Sequence, residues 1–195
     1  MDSLDRGWGM QQQETVIHMT DVMMSTASAM SNDSFSKFAD TSGHYNNTHH
    51  SHLIGRVGEL AVEQFFLSKC PETDPIMIFE WQWSSIDSAF RDPRREREHD
   101  IGFMGLRYEV KTWSDRYWDE LGRCVAASQL ENVRRKANRI IWCSYGSDEG
   151  VVTLHGWNTP SELSKIPTKP TGPATGRKVI NHQVPLRLMN RMEFA

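Results

Sequence analysis

The sequence predicts an α/β domain: a mixed central sheet flanked by helices, in the order helix, three strands, helix, and one or two further strands. Three observations carry that expectation. The stretch 53–69, LIGRVGELAVEQFFLSK, sets Ile54, Val57, Gly58, Ala61 and Phe65 on one side at helical spacing. The segments 99–103 and 106–113 alternate as strands about Met104-Gly105, a two-residue turn in which glycine takes φ > 0 at no steric cost, so the two runs form an antiparallel hairpin. A second helical stretch, CVAASQLENVRRKANR (124–139), precedes two apolar runs, IIWCSY and VVTLHGW, that suit strands. IMIFEWQW (76–83) supplies the first of the three strands.

The ends differ in character. Residues 1–50 read as a flexible or partly helical extension, rich in Met, Ser, Thr, Asn and Gln. Within it HMTDVMMSTASAM suits a short helix, and SNDSFSKFADTSGHYNNTHHSH suits a mobile linker. His44, His49, His50 and His52 fit that polar linker better than a metal site, since no cysteines accompany them. Residues 51–195 form the predicted domain. Thr159-Pro160-Ser161-Glu162 is a capping box with proline at the first helical position, so a short helix starts there. PTKPTGPATGRK is a loop, and VINHQVPLRLMNRMEF reads as an edge strand with a final short helix.

Strand alternation points Arg107, Glu109, Lys111 and Trp113 to one face and Leu106, Tyr108, Val110 and Thr112 to the other. The Gly105 turn brings Asp100 across from the Glu109 region. Two hard carboxylates on neighbouring strands suit Mg²⁺, which keeps several waters and adds phosphate oxygens to one or two carboxylates. Lys111, one pleat along, is placed to orient a water and stabilise charge on phosphate. The triplet alone equally fits a surface hairpin whose Glu109–Lys111 pair is worth about 0 to 1 kcal/mol. Glu59 lies at the edge of the apolar arc of the first helix, where it needs a partner or reaches solvent.

Taken together, GRVGELAVEQFF, HDIGF, RYEVKTW and SQLENVRRKA resemble the PD-(D/E)XK nuclease superfamily over about residues 53–157. The resemblance implies a restriction-endonuclease-like αβββαβ core. It implies that Asp100, Glu109 and Glu59, with the Val110 carbonyl, bind Mg²⁺ (Mn²⁺ serving in its place), and that Lys111 is the catalytic lysine. Gln129 matches the glutamine on the family's following helix. There are departures: Val62 stands where the helix signature has alanine, His99 replaces a proline before the aspartate, and Val133 stands where the exonuclease branch has tyrosine.

Net charge is −3, so any nucleic-acid contact rests on local clusters. Arg91, Arg94, Arg95 and Arg97 precede Asp100, and Arg134, Arg135, Lys136 and Arg139 follow on the second helix; arginine forks match phosphate oxygens. Trp113, on the Glu109 face, is a candidate for base stacking. Three separated cysteines, Cys70, Cys124 and Cys143, support no disulfide framework and point to a reducing, cytoplasmic setting. No apolar run approaches the ~20 residues of a membrane span, which predicts a soluble protein.

The functional expectation is a Mg²⁺-dependent endodeoxyribonuclease leaving a 5′-phosphate. A homodimer is expected if both strands are cut, and sequence specificity would come from loops or a partner protein. The alternatives are a non-cleaving nucleic-acid-binding or assembly module on the same fold, and a ribonuclease.

Overall fold

The structure, a computed structural model, describes residues 14–38, 48–69, 99–172 and 178–194. The predicted strand over 76–83, the arginine cluster 91–97 and Cys70 lie outside the described residues. The hairpin forms as expected. Strand β2 (Ile101–Phe103) pairs with β3 (Leu106–Ser114) in the register Ile101↔Tyr108, Gly102↔Arg107, Phe103↔Leu106. Met104 and Gly105 take φ of 47° and 75°, the paired left-handed conformation whose twist matches that of the strands.

The main sheet has five strands in the order β1-β6-β5-β3-β2, with β1 (Thr15–His18), β5 (Arg139–Gly146) and β6 (Val151–Asn158) completing it. It is mixed: β3 and β5 run parallel, and the other pairs are antiparallel. The parallel pair requires a crossover. That crossover passes through a 3-10 turn (Asp115–Tyr117), α3 (Trp118–Leu121), β4 (Cys124–Ala126), a second 3-10 turn (Ala127–Gln129) and α4 (Leu130–Lys136). A three-stranded sheet, in the order β4-β8-β7, adds β7 (Thr168–Thr171) and β8 (Val179–Gln183).

Helix α2 (His49–Lys69) covers one face of the main sheet. Its Val57, Ala61, Val62 and Phe66 are buried with Ile101, Tyr108, Val110, Cys143 and Leu154; Phe66 stacks on Phe103 with ring centroids 4.3 Å apart. The opposite face carries Ile140 and Trp142, packed with Trp118, Val125, Val133 and Leu163 of α5 (Pro160–Leu163). One contact sets how closely α2 approaches β3. A Cβ on Gly58 would lie 1.8 Å from Thr112 Oγ1, so only glycine fits. Gly58→Ala is expected to destabilise the protein by about 1–3 kcal/mol through overpacking, read as a lower urea midpoint at unchanged m-value.

Several elements depart from the expectation. Helix α1 (Asp21–Phe38) runs on through Ser31–Phe38, which had read as linker. Ser31 and Ser34 are buried there, because the stretch is held by polar contacts to α2 that no apolar periodicity reveals. Residues 15–18 are an edge strand of the main sheet. The segment 124–139 is helical only over Leu130–Lys136; Cys124–Ala126 is a strand against β8, where Cys124 and Val125 are buried. Strand β8 is the middle of its sheet and not an edge, and the chain ends in 3-10 turns at Leu186–Leu188 and Met192–Phe194 in place of a helix. The capping box forms as read: Thr159 Oγ1 accepts from Glu162 N at 3.2 Å, and Glu162 Oε2 accepts from Thr159 N at 2.7 Å. Among the described residues no helix is long and apolar enough to cross a membrane.

Candidate metal-binding and catalytic site

Strand β2 is short, and its pairing with β3 ends at Ile101↔Tyr108. Beyond that point Asp100 takes over with its side chain. Its backbone N–H donates to the Tyr108 carbonyl at 3.1 Å, and its Oδ2 accepts from the Val110 N–H at 2.8 Å. A residue's N–H and C=O leave an extended strand on the same side, so the Val110 carbonyl faces this edge too. The carboxylate is thereby fixed to the backbone of the strand that carries Glu109 and Lys111.

Glu109 and Lys111 share the face that holds Ile140 and Trp142, their register partners on β5. Lys111 Nζ donates to Glu109 Oε1 at 2.5 Å, with the side chains 30% and 15% exposed respectively. The pair is therefore no solvated surface bridge. Burial pushes Glu109 above the ordinary carboxylate range, and the Asp100 and Glu59 carboxylates push the same way against Lys111. Burial works against the Lys111 charge, but Glu109, Asp100 and Glu59 outweigh it and hold the ammonium above the usual lysine range. Lys111 is accordingly a cation at neutral pH, suited to orienting water and stabilising anionic charge rather than to accepting a proton.

Glu59 comes from α2 and does not reach solvent; it is 7% exposed. Its Oε2 accepts from Arg56 NH1 at 2.5 Å, and Arg56 NH2 donates to Ser34 Oγ of α1 at 2.7 Å. Arg56 and Glu63 went unremarked in the sequence. Their signal was there: positions 56, 59 and 63 repeat at helical spacing in an otherwise apolar helix. Glu63 is 3% exposed, and burial, then the Glu59 charge, raises its pKa to about 8.

Among the described residues no three His, Cys, Asp or Glu side chains stand together as a ready-made ion cage. Two of the three candidate carboxylates are held by Arg56 and Lys111 instead. The donor chemistry nevertheless fits a hard divalent cation. The set is all oxygen, its members feel one another's charge, and Glu109 is strained towards protonation by its acidic neighbours.

The other predicted residues are more dispersed. Trp113 follows on the Glu109 face but is half-buried against the Trp142 cluster, so packing occupies part of its ring. Gln129, Arg134 and Arg135 are exposed on the stretch through α4, and Arg134 lies near Glu131. Arg139 stacks over the Trp157 ring at 4.1 Å. Arg94, Arg95 and Arg97 lie outside the described residues. Val133, at the position of the exonuclease-branch tyrosine, is a core residue. Cys124 and Cys143 are buried, and burial pushes the Cys124 thiol up to about 11, which leaves it unreactive.

A second buried polar chain has the bonding order of a nucleophile, base and acid. His155 Nε2 meets Ser144 Oγ at 2.8 Å and Nδ1 meets Glu14 Oε1 at 2.7 Å, with the ring stacked 3.9 Å from Trp118. Ser144 sits mid-strand and 6% exposed, so the chain's work is to pin the start of β1 to β5 and β6. Comparison of the chain with known protein families, curated proteins and solved structures finds no match.

Proposed function

We propose that the chain is a metal-dependent nuclease of the PD-(D/E)XK type that hydrolyses phosphodiester bonds of DNA endonucleolytically, leaving a 5′-phosphate. One observation supports this most: the Asp100 carboxylate, bonded to Val110 N at 2.8 Å, and the Glu109–Lys111 pair gather on one edge of β3, with the Glu59 charge within reach. Asp100, Glu109, the Val110 carbonyl and Glu59 would hold Mg²⁺. Bound there, the ion would polarise the phosphate and lower the pKa of its water. Asp100 keeps its orientation through Val110. Lys111 aligns the nucleophile and neutralises charge developing on the phosphate. Arg134 and Arg135, exposed on α4, with Arg94, Arg95 and Arg97, grip the backbone of the nucleic acid; Gln129 and Trp113 flank it.

Supercoiled plasmid incubated with Mg²⁺ is expected to become nicked, or linear if two copies of the chain act together, and EDTA is expected to stop the reaction. Plasmid, linear duplex and single-stranded DNA all left intact, with RNA cut, would make the enzyme a ribonuclease. A second reading, a non-cleaving nucleic-acid-binding or assembly module, draws on the ion pairs that occupy Glu59 and Glu109. Calorimetry separates the two: such a module shows no Mg²⁺ site that disappears in Asp100→Asn.

A further inference from the structure

We propose that the N-terminal helix is part of the metal site: Ser34 of α1 holds Arg56, and Arg56 holds the Glu59 carboxylate in its binding orientation. The inference rests on the metal-dependent reading above and assigns a positioning role to two residues outside the ligand set.

The geometry is a relay across three buried side chains. Ser34, Arg56 and Glu59 are 6%, 7% and 7% exposed. The Arg56 guanidinium spans them, one nitrogen 2.7 Å from Ser34 Oγ and another 2.5 Å from Glu59 Oε2. A planar fork fixed at two points turns little, so it fixes the carboxylate it binds. Glu59 without that grip would face Glu63, one turn along and also buried, and like charges at this spacing repel. The Glu59 carboxylate would then rotate away from the edge of β3.

Further contacts hold α1 to the first turns of α2. The His49 ring meets the Ser31 hydroxyl at 3.4 Å and the Asn32 side-chain oxygen, and Phe35 sets its edge against His49 and His52 with centroids 6.0 Å and 6.1 Å apart. Ala27 and Met30 add an apolar contact to the main core. The serine that holds Arg56 is thus placed by an independently docked helix. Whatever moves α1 moves the orientation of Glu59.

The test uses full-length protein and calorimetric Mg²⁺ titration, with no substrate present. Arg56→Gln is expected to weaken Mg²⁺ binding at least tenfold, Arg56→Lys to recover part of the loss, and Ser34→Val to weaken binding about threefold. Combining Arg56→Gln with Glu59→Gln should be no worse than Glu59→Gln alone, because both act through one carboxylate. A folded Arg56→Gln that binds Mg²⁺ as tightly as wild type overturns the relay and leaves the metal site standing. Should Arg56→Gln not fold, Ser34→Val decides: an unchanged affinity overturns the relay. Wild-type protein that binds no Mg²⁺ overturns the metal reading itself and the relay with it.

Discussion

Lys111→Ala is expected to abolish plasmid nicking, a loss of about 10³-fold or more, while leaving Mg²⁺ binding intact or tighter. The two halves of that result have separate causes. Lys111 contributes positive charge where charge develops on phosphate, and losing such a group typically costs about 10²–10³ in rate, more when it also orients the nucleophile. The same ammonium sits 2.5 Å from Glu109 Oε1, so removing it releases a carboxylate for the ion. Asp100→Asn should do the reverse. Its amide oxygen still accepts from Val110 N–H, so the strand edge stays closed, but the charge that attracts Mg²⁺ is gone. Cleavage and calorimetric binding would then disappear together. Nicking by Lys111→Ala at the wild-type rate would remove this lysine from the chemistry.

Glu63→Gln is expected to stabilise the protein at alkaline pH by several kcal/mol and to flatten its pH dependence. The Glu63 carboxyl has a pKa of about 8 in the fold against an ordinary 4.5. Between those values the unfolded chain has released a proton that the folded chain keeps, so stability falls as pH rises from about 4.5 through about 8. The full loss is on the order of 4 kcal/mol. Glutamine keeps the shape and carries no charge. Urea unfolding with chelator present, at pH 5 and pH 9, measures both quantities. An unaltered difference between the two pH values in the variant would show that another group carries the dependence.

What the sequence disclosed depended on how local the cause was. The β2–β3 hairpin was legible because Met104-Gly105 settles register within two residues, and register settles which side chains share a face. The α5 capping box was equally local. The second half of α1 was not, since its stability comes from Ser31, Asn32 and Ser34 meeting His49 and Arg56 of another helix. Cys124–Ala126 became a strand because β8 arrives from far along the chain, overriding helical spacing. In the site, Asp100, Glu109 and Lys111 were found from spacing, and Glu59 from its place on the apolar arc. Arg56 and Glu63 were legible in principle, at three before and four after Glu59, but their importance depends on burial.

The pairing of β1 with β6 also bears on the order of events during synthesis. Thr15 lies against Leu154, so the first strand to leave the ribosome has its partner near the far end of the chain. Closing so long a loop carries a large entropic cost until the strands between are in place. Strand β1 is therefore a late arrival, docking on a nascent sheet already assembled from β2 through β6, and its edge stays exposed to chaperones and to other chains until translation is nearly complete.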